Sequence, residues 1–389
     1  MVNLVNKKFL RNYENLITCI SMRGQLDLEE VRKLNVAFSH LDDQKEFAVK
    51  LNKSELLSIC HENLKSYFDH STLAYSLEKY RDTEIKISLM FSELSLLGSH
   101  FLKKGLKVVA LKNGGLAQYF LDDLGSHPMG DIDLMISKND FLEAHDEIIS
   151  AGFKLEFRSK YEENDISVAF KNGGAEYSKK IDNGDLMWLE LSWRSVSGRW
   201  INQNKEPKAD DLLSRVIPAP ISGIYLLSPE DNLLQVAIHT AKHTYFRAPG
   251  IRLHLDVHRV CKLFEIDWQL FLQAVESSGT KTAVFFSLIT AKNMLGTPIP
   301  DEIIEKIRPS FWKQLLFNFV FRSVRIGERF QPSRLMFIVF QASLYDDISS
   351  FFSVLIPAPE KVKKDGYPLI ISYLIHILDL IGIRKKYRK

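Results

Sequence analysis

The 389-residue chain is too long for one average domain, and its 46% hydrophobic and 25% charged residues are the balance of a globular protein. Its net charge of +3, from 51 lysines and arginines against 48 aspartates and glutamates, argues against a surface that coats nucleic acid. Three distant cysteines without Cys-x-x-Cys spacing favour buried thiols in a reducing cytoplasm over disulfides or zinc: Cys19, Cys60 and Cys261. No apolar signal segment opens the chain, and no uncharged apolar run is long enough to span a membrane.

Residues 1–104 are predicted to form an N-terminal helical region, because apolar side chains recur at steps of three and four residues and glycine is almost absent. The clearest helix runs from Glu84 to Lys104, where two lysines in the last turn precede Gly105. This helix leads into the first predicted strand.

The segment Lys112-Asn113-Gly114-Gly115 follows an apolar strand at residues 108–111 and precedes a helix predicted over Leu116–Leu121. Free backbone N–H groups at the start of a helix, together with the positive end of its dipole, attract an anion. Lys112 adds a positive charge at the same place. The four residues are therefore candidates for binding phosphate, although two adjacent glycines are also typical of a plain turn.

A pair of aspartates opens the second predicted strand. Because successive side chains of a strand point to opposite faces, Asp131 and Asp133 project together while Ile132 and Leu134 enter the core. Two neighbouring carboxylates repel each other unless a cation lies between them. Hard oxygen ligands suit Mg²⁺ or Mn²⁺ bound together with substrate phosphates, so the pair indicates nucleotide chemistry. A strand end in contact with water is the alternative interpretation.

Beyond this strand, Asn139 or Asp140 is predicted to cap a helix that reaches Ser150, and Gly152 closes it. Turn residues at Asn172-Gly173-Gly174 and Asn183-Gly184 indicate hairpins. Four further strands are predicted: Phe153–Phe157, Ile166–Phe170, Ala175–Ile181 and Leu186–Trp193. Together the elements predict an α+β fold, in which a small mixed sheet at residues 105–215 is flanked by helical regions at 1–104 and 216–389.

The last of these strands carries a third acid. Alternation places Glu190 on one face with Trp188 and Ser192, while Leu189 and Leu191 point to the other. An acid among bulky apolar residues needs a partner, so Glu190 is predicted to join the aspartates. A glutamate that faces water from an edge strand is the alternative.

Three segments together resemble the turn, the Asp-x-Asp strand and the third-acid strand of polymerase-β-like nucleotidyltransferases: Lys112–Gly115, Pro128–Leu134 and Leu189–Trp193. Over most of its length the chain is similar to the large bacterial family of uncharacterised nucleotidyltransferases, which are often encoded beside polysaccharide or peptide-natural-product genes. The resemblance implies that Asp131, Asp133 and Glu190 are catalytic and hold two Mg²⁺ (or Mn²⁺) ions. It also implies that Lys112, Asn113, Gly114 and Gly115 hold the β- and γ-phosphates of a nucleoside triphosphate.

Three positions depart from the family pattern. The family usually has glycine at the position of Asn113, arginine near that of His127 and histidine at that of Ser192. Asparagine tolerates the left-handed backbone that glycine would adopt, so we expect the turn to survive. The other two replacements concern substrate contacts more than metal binding.

The helix predicted over residues 229–245 begins with Ser228 as its cap, and it places His239 and His243 one turn apart. A second polar group follows: His254, Asp256 and His258. Half of a zinc site is one interpretation of these residues. We favour either a polar seam between the helical region and the active cleft or hydrogen-bonded core histidines.

The tail, residues 367–383, is predicted to be an apolar helix with one narrow polar stripe at Ser372, His376 and Asp379. We expect its apolar face to pack on the C-terminal helices and the stripe to face water. Basic residues flank the helix: Lys361, Lys363, Lys364, Arg384, Lys385, Lys386, Arg388 and Lys389. Peripheral contact with an anionic membrane is therefore the alternative.

The function implied by the resemblance is transfer of a nucleoside monophosphate from a triphosphate to an unknown acceptor, with release of pyrophosphate. The acceptor would be a small molecule, a saccharide, a peptide or a protein. Two alternatives remain: a non-catalytic relative that binds a nucleotide or a partner, and an enzyme that modifies a protein or tRNA.

Overall fold

The computed structural model describes residues 9–156, 166–195, 205–246, 250–321, 324, 334–347, 359 and 367–381. Its N-terminal helices are α1 Tyr13–Ser21, α2 Leu28–Phe38, α3 Gln44–Lys53, α4 Leu57–Leu64 and α5 His70–Lys104. Four of them begin at a side chain that accepts an otherwise unpaired backbone N–H: Asn12, Asp27, Asp43 and Asp69. Helix α5 contains the predicted helix and ends at Gly105, whose φ of 69° is the left-handed conformation that glycine adopts without strain.

Seven strands form one sheet in the order β3-β4-β5-β2-β1-β7-β6. They are β1 Val108–Ala110, β2 Asp131–Met135, β3 Lys154–Glu156, β4 Gly174–Lys180, β5 Leu186–Ser192, β6 Ile217–Pro218 and β7 Ile224–Leu226. The pairs β2 with β5 and β1 with β7 are parallel, and the other neighbouring strands are antiparallel. This mixed sheet with helical flanks confirms the predicted α+β fold.

Short helices connect the strands: α6 Lys112–Leu116, α7 Phe141–Ser150, α8 Ile166–Asn172 and α9 Ala209–Leu213. The C-terminal helices are α10 Pro229–Lys242, α11 Arg252–Leu263, α12 Trp268–Ser278, α13 Lys281–Leu295, α14 Asp301–Lys306, α15 Phe311–Phe321, α16 Arg334–Ser343 and α17 Leu369–Ile381. The Ser228 hydroxyl accepts the Asp231 N–H at 3.3 Å, which confirms it as the cap of α10. This helix ends before the predicted residue 245, because Thr244 and Tyr245 have φ values of 53° and 64°.

Two large apolar cores and a smaller cluster around Val109 hold the described elements together. One lies between the sheet and helices α5 and α7, and includes Phe101, Ile132 and Phe141. The other contains Phe47 of α3 and Phe286 of α13, both fully buried. The N-terminal and C-terminal helical regions therefore share one core beside the sheet.

One predicted strand is wrong: residues 166–170 belong to helix α8. Ile166, Ala169 and Phe170 lie three and four residues apart, so they share one face of a helix as readily as a short strand. The Phe170 ring packs 5.6 Å from that of Phe141. Consequently Asn172-Gly173-Gly174 joins a helix to β4, whereas Asn183-Gly184 forms the predicted hairpin turn between β4 and β5.

Helix α17 turns apolar side chains outward over the part whose side chains are described. Ser372 is fully buried and donates to the Pro368 carbonyl, whereas Ile370 is 76% and Leu374 55% exposed. The predicted orientation of this helix is therefore wrong, because a serine hydroxyl that bonds to its own helix needs no water. The side chains of His376 and Asp379 and the flanking basic residues lie outside the described residues. No helix in the described ranges is long and apolar enough to cross a membrane.

Candidate active site

The register between β2 and β5 brings the three acids together on one face of the sheet. Asp133 lies directly opposite Glu190 in a parallel pair, and Asp131 lies two residues before Asp133 on the same strand. Ile132 and Leu134 are fully buried on the opposite face, as the alternation predicted. The backbone therefore sets three carboxylates side by side.

The charges of these acids act on one another. Desolvation and then the charge of Asp133 raise the pKa of Asp131, and Glu190 adds to the effect while Lys112 and Arg252 oppose it. Burial and the neighbouring acids therefore both disfavour the ionised form of Asp131.

Lys112 is the nearest cation to this cluster. Its Nζ lies 2.8 Å from Asp133 Oδ1. Burial alone would lower the pKa of Lys112, but Asp133, Glu190 and Asp131 together raise it above the ordinary value. The left-handed residue of the turn is this lysine, with φ of 54°, so the expectation that Asn113 would adopt that conformation is wrong. Leu111 still pairs with the neighbouring strand, because its N–H donates to the Asp133 carbonyl. The chain changes direction at the next residue, Lys112.

The two glycines of the turn are packed against strands of the sheet. A Cβ on Gly115 would meet Leu226 Cδ2 at 2.4 Å and the Ala110 carbonyl oxygen at 2.5 Å, so only glycine fits there. Gly114 packs on Ile132, where a Cβ would lie 3.3 Å from Cγ2. The predicted helix over Leu116–Leu121 is wrong, because α6 starts at the turn itself and a 3₁₀ turn follows at Ala117–Tyr119.

Asn113 and His127, two of the positions that depart from the family pattern, are buried parts of the structure. The Asn113 amide donates to the carbonyls of His127 and Pro128 at 3.3 and 3.2 Å, and its oxygen accepts from Arg259. The His127 ring stacks on Phe120, and burial followed by the charge of Arg259 lowers its pKa to about 2. Neither side chain lines the cleft.

A cleft opens in front of Asp133 and Glu190, with the sheet on one side and α10 on the other, and Asp131 is not among its lining residues. Its lining residues are Leu111, Lys112, Asp133, Glu190, Ser192, Arg194, Ser195, Gln235, Ile238, His239 and Lys242. The α10 residues are spaced by three, one and three, which places them on one face of a helix. Ser192 is thus the one departure from the family pattern that reaches the cleft. Sequence reasoning missed Gln235 and Lys242 as cleft residues. The helical spacing of polar residues after the Ser228 cap is the signal that could have identified them.

The histidines of α10 and α11 differ in their surroundings. His239 lines the cleft with its ring 4.8 Å from that of His243, and burial lowers its pKa well below the ordinary value, followed by the charges of Lys112, His243, Lys242 and Arg252. The imidazole is therefore neutral at pH 7. His254 and His258 instead bond to the Tyr245 carbonyl and to the Thr297 hydroxyl, as core histidines do.

The chemistry of the acids fits a hard divalent cation. Asp131, Asp133 and Glu190 offer carboxylate oxygens, the ligands that Mg²⁺ and Mn²⁺ prefer, and the repulsion that Asp133 and Glu190 exert on Asp131 favours a cation between them. Among the described residues, no three or more His, Cys, Asp or Glu side chains are already gathered around one point. Asp133 is bound by Lys112 instead, so a metal ion would have to displace this ammonium group.

The residues of this site lie within the part of the chain that matches a known protein family. The model of the uncharacterised nucleotidyltransferase family matches residues 41–296, about two thirds of the chain. The chain belongs to this family. The matched part of this nucleotidyltransferase-family protein runs from the start of α3 to the end of α13, so it contains the sheet, the three acids and the cleft wall on α10. No curated protein and no solved structure shows significant similarity to the chain.

Proposed function

We propose that this protein transfers a nucleoside monophosphate from a nucleoside triphosphate to an acceptor hydroxyl or phosphate, as a member of the polymerase-β-like superfamily. The observation that carries the proposal is the register that pairs Asp133 with Glu190 beside Asp131. Membership of the nucleotidyltransferase family supports the same chemistry. The acceptor would be a small molecule, a saccharide, a peptide or a protein.

Asp131, Asp133 and Glu190 are the proposed catalytic residues and the proposed ligands of Mg²⁺ or Mn²⁺. Such ions, when bound, polarise the α-phosphate and stabilise the leaving oxygen. The acceptor oxygen forms a bond to the α-phosphorus, and the bond to the β-phosphate oxygen breaks in line. Glu190 accepts the acceptor's proton, and the bond electrons leave with pyrophosphate.

The turn Lys112, Asn113, Gly114 and Gly115 is the proposed site for the β- and γ-phosphates. Backbone N–H groups at the start of α6 would donate to phosphate oxygens. Lys112 would exchange Asp133 for a phosphate oxygen when a metal ion neutralises the aspartate.

A non-catalytic nucleotide-binding protein is the second candidate, and the Lys112–Asp133 ion pair favours it. An ammonium group on a carboxylate supplies the positive charge that the ions would otherwise bring. Such a protein would bind a triphosphate or a partner without turnover. Modification of a protein or tRNA is a third possibility that differs from the first only in the acceptor.

Two further assignments belong to the same proposal. Cys19 and Cys60 are buried free thiols, which supports a reducing compartment such as the cytoplasm. The exposed Ile370 and Leu374 of α17 support peripheral membrane contact through the tail.

The test is incubation with each α-labelled triphosphate, Mg²⁺ or Mn²⁺ and a cell extract, followed by identification of the labelled product. We expect label in one acceptor class and release of pyrophosphate. Triphosphate binding without transfer to any acceptor would support the non-catalytic candidate, and absence of both would overturn the proposal.

A further inference from the structure

Two lysines line the cleft, Lys112 after β1 and Lys242 on α10. His239 lies among Lys112, Lys242 and Arg252, whose charges all disfavour its protonated form. The three acids occupy the sheet on the other side. The cleft therefore has carboxylates on β2 and β5 and the ammonium group of Lys242 on the opposite wall, an arrangement that suits a metal-bound anion.

The turn after β1 offers few side chains to an anion. Gly114 and Gly115 pack against Ile132 and Leu226, and the Asn113 amide is engaged by backbone carbonyls. Lys112 reaches the cleft, but it is bound to Asp133. A polyphosphate carries several negative charges. Lys112 is already paired with Asp133, so it can neutralise only a small part of that charge.

We propose that the α10 face completes the site for the β- and γ-phosphates opposite the turn after β1, with Lys242 as ion-pair partner and His239 as hydrogen-bond donor. Lys242 is exposed and lies one turn from His239 on the wall that faces Asp133 and Glu190. A neutral imidazole carries one N–H donor, which suits a phosphate oxygen. The inference rests on the proposed function and extends the nucleotide site onto a helix of the C-terminal region.

A structural role for Lys242 makes a different prediction. Lys242 is the last residue of α10, where a positive charge also complements the helix dipole. Lys262 is the matched control, because it occupies the last turn of α11, is exposed and is absent from the cleft wall. Both lysines should contribute equally to stability if the dipole is their only role.

The experiment measures binding of inorganic tripolyphosphate and of ATP, GTP, CTP and UTP to the full chain by calorimetry, at low and high salt. We expect Lys242→Gln to weaken binding of tripolyphosphate and of the preferred triphosphate about tenfold, while Lys262→Gln has no effect. His239→Gln, which retains an N–H donor, should bind more tightly than His239→Leu. Melting temperatures of all variants exclude unfolding as the cause.

The outcomes separate this inference from the proposed function. If the unmodified protein transfers nucleotide but Lys242→Gln binds tripolyphosphate as tightly as Lys262→Gln does, the α10 assignment is wrong and the proposed function stands. If the unmodified protein binds neither tripolyphosphate nor any triphosphate, both fail. Weaker binding in Lys242→Gln at low salt and a smaller difference at high salt would support an ion pair to phosphate.

Discussion

This protein contains two clusters of charged side chains, and their charges are balanced in different ways. Around Arg259, the guanidinium donates to Asn113 Oδ1 at 3.2 Å and to the Ser126 carbonyl at 3.0 Å, with Asp256 at 3.9 Å. Around Asp131, the charges of Asp133 and Glu190 act together with that of Lys112, whose Nζ lies 2.8 Å from Asp133 Oδ1. The first group is closed within the protein, and the second opens to a cleft.

The contrast separates a buried ion pair from a cluster of acids. Burial lowers the pKa of Arg259 to about 10, but the charge of Asp256 opposes this, so the pair is compensated. Burial raises the pKa of Asp131, and the charges of Asp133 and Glu190 raise it further. Carboxylates that line an open cleft are accessible to a cation from solution, whereas a buried ion pair holds elements together.

The largest effect should come from Asp133→Asn, which removes a charge and conserves the shape of the side chain. We expect nucleotide turnover, measured as pyrophosphate release, to fall about a thousandfold or more while the melting temperature is retained. Asp122→Asn is the control, because Asp122 is exposed and lies outside the cleft wall. Full activity in Asp133→Asn would refute its catalytic role.

Arg259→Met tests the structural group. The variant leaves the Asp256 carboxylate without its guanidinium partner and removes both hydrogen bonds to Asn113 and Ser126. We expect the free energy of unfolding, measured by urea denaturation, to fall by about 3 kcal/mol or more. Arg259→Lys keeps the charge and should lose less. Equal stability of Arg259→Met and the unmodified protein would contradict the assignment.

Gly115→Ala tests whether the turn is built by packing. The added Cβ would collide with Leu226 and the Ala110 carbonyl, so we expect a loss of about 1 to 3 kcal/mol in unfolding free energy. Gly130→Ala is the matched control, because a Cβ there meets nothing within 4 Å. A variant at residue 115 as stable as that at residue 130 would show that the glycine is not needed for packing.

Asp131→Asn should have the smallest effect on stability, and the effect should be favourable. Because the folded state raises the pKa of Asp131, its ionised form destabilises the fold at neutral pH, and this penalty is lost as pH falls through the raised pKa. We expect a gain below about 1 kcal/mol at pH 7, since solvent screens this carboxylate, and none below about pH 4. Addition of Mg²⁺ should stabilise the unmodified protein more than the variant. A loss of stability at pH 7 would contradict the charge repulsion.

Predictions from the sequence were most successful where a charged residue alternates with large apolar ones. In β2, burial of an aspartate costs far more than burial of Ile132 or Leu134 gains, so one orientation is dominant. They failed where the pattern was short or the polar group weak. Residues 166–170 fit the periodicity of a strand and that of a helix. The Ser372 hydroxyl donates to the backbone carbonyl of Pro368, four residues earlier, so it needs no contact with water.

The sequence by itself determined the α+β class, the strand that carries Asp131 and Asp133, and the face on which Glu190 lies, because each follows from local periodicity and capping. Only the tertiary structure decided that Lys112 binds Asp133, that Gly115 is required by Leu226, and that α10 forms the opposite wall of the cleft. These contacts join residues that are distant in the chain. They depend on how helices and strands pack, which periodicity within one element does not encode.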